Sequence, residues 1–181
     1  MRTEILIAGR GGQGIQLMGY LLGYAFTKYG EKYAVQTEEY GASTRGGESY
    51  AELIVSDSQD ELEYFKVRKA DIAIFMFQQA WDSLINKINE NTIIIFDSTL
   101  VKPSKGIKYG IAASDIARNE FKISTVANMI MLGAFSAITK LITPDVLEKV
   151  IDLEVNPRWR EINKKALRKG YEISYTKSPT P

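Results

Sequence analysis

The first apolar run, Ile5-Leu6-Ile7-Ala8 within residues 3–8, is short and unbroken, which predicts a strand buried on both faces. A flexible turn, Gly9-Arg10-Gly11-Gly12-Gln13-Gly14, follows it. Met18, Leu21, Leu22, Ala25 and Tyr29 then recur at spacings of three and four, so a helix with one apolar face is expected, stopped by Gly30. A second strand is expected near 33–37 and a third over Ser49–Val55, paired antiparallel around the glycine-rich loop that starts at Tyr40-Gly41. Ala70–Phe75 and Thr92–Phe96 are apolar runs of the interior parallel kind, with a helix over 78–88 between them. Further on the pattern predicts a short strand near 108–111 and helices near 113–119 and 127–140. Thr143 and Asn156, each followed by proline, are N-caps with proline at the first helical position, and Gly170 is expected to end the last helix.

Strands alternating with helices predict an α/β fold: a three-layer α/β/α sandwich with a largely parallel, mixed sheet and a Rossmann-like N-terminal βα unit. The expected organisation is a single domain over 1–175 and a loose tail, 176–181, carrying Pro179 and Pro181. A chain of 181 residues with 45% hydrophobic residues can bury a sizeable core. The stretch from Ile123 to Ile142 is broken by Ser124, Thr125, Asn128, Ser136, Thr139 and Lys140, which predicts a buried helix rather than a membrane span.

Charge and reactive side chains then narrow the function. A net charge of +1 supplies no field to attract nucleic acid or an anionic membrane, so neither is an expected partner. The chain has no cysteine and no histidine. Thiolate nucleophiles, cysteine-held iron–sulfur clusters and the commonest general base and metal ligand are thereby excluded. No catalytic and no metal-ligating residue is assigned. The N-terminus shows no secretory signal, and the expected location is cytoplasmic.

Strand, Gly9-x-Gly11-x-x-Gly14 and helix occur in the order of a phosphate-binding turn. Gly9 would permit the tight turn, Gly11 a close backbone approach and Gly14 close helix–strand packing. Three readings stand open: glycines that let the loop pass a neighbouring backbone, a phosphate-type ligand site, or a subunit contact. A dinucleotide site would add an acidic residue after the second strand, for which Glu38 is the candidate. The second loop joins an aromatic, Tyr40, to Gly41, Arg45, Gly46 and Gly47, a tight loop that would present one guanidinium to a carboxylate or phosphate.

Gly9-x-Gly11-Gly12-Gln13-Gly14, then Tyr40-Gly41 with Arg45-Gly46-Gly47, later Asn128-Met129 with Gly133, and a closing Glu161–Ala166 with Gly170 together resemble the gamma subunit, or equivalent domain, of the 2-oxoacid:ferredoxin oxidoreductases. The resemblance spans nearly the whole chain. It departs at Ala42-Ser43-Thr44, where members of that family often carry proline and glutamate. The resemblance implies a non-catalytic component of an enzyme that decarboxylates a 2-oxoacid, with 2-oxoglutarate preferred over pyruvate, forms acyl-coenzyme A and reduces ferredoxin. It implies thiamine diphosphate with Mg2+ on alpha and beta subunits and [4Fe-4S] clusters on a ferredoxin-like delta subunit, none of them bound by this chain alone. The residues expected to touch coenzyme A or other subunits are Gly9, Gly11, Gly12, Gln13, Gly14, Tyr40, Gly41, Arg45, Gly46 and Gly47, with Arg45→Ala expected to weaken assembly or raise the coenzyme A requirement.

The alternatives are the related subunit of indolepyruvate:ferredoxin oxidoreductase, a free-standing NAD- or FAD-binding oxidoreductase domain using Gly9–Gly14 and Glu38, and a scaffold that binds no small molecule. Elsewhere, Asp97-Ser98-Thr99 and Gln78-Gln79 read as strand-to-loop turns at the same sheet edge. The cationic last helix, Arg158 to Lys169, reads as a solvated face, with Trp81 and Trp159 as packing residues.

Overall fold

In the computed structural model, residues 1–41 and 47–181 are described. Among the described residues six strands form one sheet: β1 (Arg2–Arg10), β2 (Tyr33–Tyr40), β3 (Glu48–Ser56), β4 (Ile72–Phe75), β5 (Ile93–Asp97) and β6 (Ile107–Ile111), in the order β2-β3-β1-β4-β5-β6. β1, β4, β5 and β6 run parallel, whereas β3 is antiparallel to both β1 and β2. The sheet is therefore mixed, as expected. The continuous apolar runs pay off in two cores: Ile5 and Ile7 of β1 point to one face, and Leu6 and Ala8 to the other.

The two faces are covered unequally. On one lie α1 (Ile15–Lys28), α3 (Ala113–Ile116), α4 (Ala127–Thr139), α5 (Pro144–Glu154) and α6 (Pro157–Ser174). The other is covered by α2 (Gln78–Leu84) and by loops that contribute Val67, Ala70, Ile88 and Val101. Nearly every residue of α4 from Ala127 to Ala137 is buried, which explains its apolar character on all sides. No described helix is long and apolar enough to cross a membrane.

Thr143 and Asn156 cap α5 and α6 through bonds accepted from the Val146 and Arg158 N–H groups, as their spacing predicts. Gly170 does not end α6, which runs on to Ser174. A Cβ on Gly170 would lie 1.9 Å from the Ile130 carbonyl oxygen, and one on Gly133 1.9 Å from that of Leu167. Both glycines thus serve the close crossing of α4 and α6. The tail is tied down as well: the Thr180 N–H donates to the Lys108 carbonyl on β6, and its hydroxyl accepts from the Gly110 N–H at 3.3 Å.

The place of the second strand bears on the dinucleotide alternative. β2 is not the neighbour of β1, because β3 returns antiparallel and inserts between them. Glu38, opposite Ala51, therefore stands two strands from the glycine turn, roughly 10 Å away at ordinary strand spacing. It accepts a bond from the Tyr40 hydroxyl. The geometry of a dinucleotide fingerprint is absent.

Candidate functional site

The connection after β1 crosses to β2 on one face through α1, and the connection after β4 crosses to β5 on the other through α2. This divergence opens a crevice at the carboxyl ends of β1 and β4, the usual ligand position in open α/β sheets. A cleft of about 330 Å³ lies there, lined by Arg10, Gly11, Gly12, Gln13, Met76, Leu100, Ser114, Arg118, Ser124, Thr125 and Ala127.

The turn itself is held by Gln13. Its side-chain oxygen accepts from the Arg10 N–H at 2.7 Å, its amide donates to the Met76 carbonyl at 2.9 Å, and its own N–H reaches the Arg10 carbonyl at 3.1 Å. One side chain thus staples the end of β1 to the end of β4. Gly9 is enclosed, since a Cβ there would lie 2.5 Å from Ile15 Cδ1. Gly14, the uncapped start of α1, has φ 76°, and a Cβ on it would meet the Asn128 amide nitrogen at 2.3 Å. Its neighbour is α4 rather than a strand. Gly12, at φ 90°, has open space where a side chain would stand, so the backbone there is accessible.

The Gly11 N–H donates to the Gly47 carbonyl at 2.9 Å, and the Gly41 N–H to the Glu48 carbonyl at 2.8 Å. The two glycine loops therefore meet. Tyr40 is largely exposed at the end of β2. Arg45 and Gly46 lie outside the described residues, and the cleft's described cations are two that the motif alone did not single out. Arg10, within the glycine turn, leans over the Phe77 ring at 5.5 Å. Arg118 is carried in on the π-helical turn Ala117–Phe121 and pairs with Asp115 at 3.3 Å. A fixed charge inside a glycine turn was a legible signal for Arg10, whereas nothing local marks Arg118. Ser114, Ser124 and Thr125 add hydroxyls.

Asp97 ends β5 fully buried behind this wall. Its carboxylate accepts from the Ser114 N–H and hydroxyl and from the Thr99 N–H, which fastens the β5 and β6 ends together. Burial pushes its carboxyl above the ordinary value, and those donors oppose the shift. Gln78 bonds Asp82 and the Lys102 N–H. The cations of α6 are largely engaged: Arg168 with Glu148 and Asp145, Lys164 with Asp152 and Glu161, and Lys169 with Glu120. Trp81 packs edge-on against Phe75 in the core, but Trp159 stays 40% exposed beside a second groove.

Among the described residues no group of histidine, cysteine, aspartate and glutamate could hold a metal ion. With Ser114 engaged by Asp97, the two guanidinium groups, the Ser124 and Thr125 hydroxyls and the accessible backbone at Gly12 suit the arrangement to holding an oxyanion.

Residues 4–173 match the family model described as pyruvate ferredoxin/flavodoxin oxidoreductase. The 2-oxoglutarate synthase subunit KorC of Methanocaldococcus jannaschii is 39% identical over 179 residues, 96% of this chain and 95% of that one. The ketoisovalerate oxidoreductase subunit VorA of Methanothermobacter thermautotrophicus is 30% identical over 138 residues, 75% of this chain but 28% of that one. The crystal structure of the keto/oxoacid ferredoxin oxidoreductase gamma subunit from Geobacter sulfurreducens superposes with a TM-score of 0.83 at 30% identity, covering 97% of this chain and 99% of that one.

Proposed function

The chain belongs to the pyruvate ferredoxin/flavodoxin oxidoreductase family, as a gamma-type subunit of a 2-oxoacid:ferredoxin oxidoreductase, and from that premise we propose that it is a non-catalytic subunit of a 2-oxoglutarate-oxidising complex that helps hold coenzyme A. In this reading the complex decarboxylates the 2-oxoacid, passes the acyl group to coenzyme A and reduces ferredoxin. The preference for 2-oxoglutarate rests on the likeness to KorC.

This chain's own donor set suits neither an iron–sulfur cluster nor Mg2+-bound thiamine diphosphate, since it has no thiol, no imidazole and no described acidic cluster. Those groups belong in this proposal to alpha, beta and ferredoxin-like delta companions. What the chain can supply is the switch-point cleft, which Arg10 and Arg118 line together with the open backbone at Gly12. That cleft is the observation that carries the coenzyme A role: its charge suits phosphate, and stacking on Phe77 and pairing with Asp115 pre-position the guanidinium groups. A nicotinamide or flavin site is disfavoured by the insertion of β3 between β1 and β2.

The test is steady-state kinetics of the assembled complex. Arg10→Ala and Arg118→Ala should each raise the KM for coenzyme A about 10- to 100-fold, the worth of a charge-assisted bond, with the 2-oxoacid KM unchanged. An unchanged coenzyme A KM in both intact variant complexes would remove this role. Faster turnover of pyruvate than of 2-oxoglutarate would remove the substrate assignment, and turnover by this chain without companions would remove the non-catalytic one.

A further inference from the structure

The helix α3 begins without a cap of its own: Ala112, the residue before it, has no side chain that could accept from the free N–H groups of the first turn. Asp97 takes that role from the end of β5. Its Oδ2 accepts from the Ser114 N–H at 3.1 Å and from the Ser114 hydroxyl at 2.5 Å, and a negative charge at this end of a helix is favoured by the aligned peptide dipoles. The other carboxylate oxygen, Oδ1, accepts from the Thr99 N–H at 3.1 Å.

The π-helical turn Ala117–Phe121 continues α3 directly, so Ser114 and Arg118 stand four residues apart on one helical segment. Side chains at that spacing share a side of a helix, and both line the cationic cleft. Among the described residues Arg118 pairs only with Asp115 of the same segment. Its place at the cleft is therefore set by the backbone that carries it. Glu120 fastens the far end of that segment to Lys169 on α6 at 2.8 Å, and Asp97 fastens the near end. Burying a carboxylate is costly unless its oxygens are bonded, and all three of these bonds go to residues in or beside the cleft wall: Ser114 twice, and Thr99 next to Leu100. Asp97 itself is fully buried and does not line the cleft.

We propose that Asp97 is a positioning residue for the cationic cleft, which caps α3 from the buried end of β5 and thereby holds Arg118, one turn further along, against the bound phosphate. The inference rests on the reading of this cleft as the coenzyme A site. It assigns to a residue that touches no ligand a share of the affinity that Arg118 supplies.

The experiment measures the Kd of coenzyme A for the assembled complex by isothermal titration calorimetry, together with kcat at saturating coenzyme A. Asp97→Ala should raise Kd about 5- to 10-fold, part of the loss caused by removing Arg118 outright, with kcat within about twofold. Asp97→Asn keeps one acceptor oxygen and should raise Kd less. In an Arg118→Ala background, Asp97→Ala should raise Kd further by less than about twofold, because the group it positions is gone. If Asp97→Ala does not assemble, Asp97→Asn carries the same cycle. Lys87→Met disturbs a buried ion pair away from the cleft and should leave Kd within about twofold, which separates positioning from general destabilisation. An unchanged Kd in the Asp97 variants, with Arg118→Ala still weakening binding, overturns the inference and leaves the coenzyme A reading standing. An Asp97 effect of full size in the Arg118→Ala background also overturns it, as does a Kd unmoved by Arg118→Ala alone. A Kd unmoved by both Arg10→Ala and Arg118→Ala removes the coenzyme A reading and this inference together.

Discussion

Gly133 and Gly170 allow a direct test of the packing that supports the site. An alanine Cβ at Gly133 would stand 1.9 Å from the Leu167 oxygen and 2.7 Å from the Tyr171 nitrogen. Ordinary contact requires about 3.4 Å, so α4 and α6 must part by roughly 1.5 Å. Backbone lies on both sides, and no rotamer change can relieve the clash. Parting the helices strips close contacts from Ile130, Ala134, Ala166 and Leu167, all fully buried. Overpacking of this kind costs about 3–4 kcal/mol at the upper end of its range, and the better helix propensity of alanine offsets about 1 kcal/mol. The net loss of about 2–3 kcal/mol should lower Tm by about 5–10 °C for a chain of this length. Gly23→Ala in α1 is the internal control. Its Cβ would meet only Leu53 Cδ1, at 3.4 Å, so the propensity gain survives and Tm should rise by about 2–4 °C. Thermal and urea unfolding followed by far-UV circular dichroism reads both. If Gly133→Ala matches or exceeds the wild-type Tm, the close crossing is not what selects glycine there. Because the first turn of α4 walls both clefts, the displaced helix should also weaken coenzyme A binding in the assembled enzyme.

Lys87→Met would leave the buried Glu52 carboxylate without its 2.6 Å partner and with Lys66 only at 3.7 Å. Lys87 is partly exposed and Lys66 compensates in part, so urea unfolding should show a loss of about 2–4 kcal/mol, and a loss below about 1 kcal/mol would contradict the burial argument. Asp97 supplies a pH test. Because its carboxyl is raised in the folded state, the folded chain holds that proton more tightly than the unfolded chain, and the associated stability is full below the unfolded value and lost as pH rises through the folded one. The stability of Asp97→Asn relative to wild type should therefore improve as pH rises through that window, and a pH-independent difference between the two would refute the desolvation account.

The two Asx/Thr-Pro caps, the β1–glycine turn–α1 unit, the β2–β3 hairpin and the buried α4 were legible because each depends on neighbours within a few residues or on the period of an apolar pattern. The same local reading placed a helix end at Gly170, since a glycine that stops a helix and one that admits another helix look alike along the chain. Only the partner backbone, 1.9 Å from where a Cβ would stand, distinguishes them. Gly14 misled in a related way: its role as a glycine was plain, but the group pressed against it, Asn128, lies over a hundred residues along the chain. Trp159 sat at core-like spacing and still remained exposed, because α6 lies outside α4 and its first turn extends past the core.

By itself the sequence determined the class of fold, the positions of the strands and helices, the two glycine loops and the lack of any thiol or imidazole with which to run redox chemistry. These are properties of composition, of spacing and of short-range chain stiffness. Tertiary structure decided that β3 inserts between β1 and β2, that the glycine loops join through the Gly11 N–H and the Gly47 carbonyl, and that Arg118 comes round to line the same cleft as Arg10. Strand order and convergence depend on contacts between distant segments, whose free energy is settled only when the whole core closes.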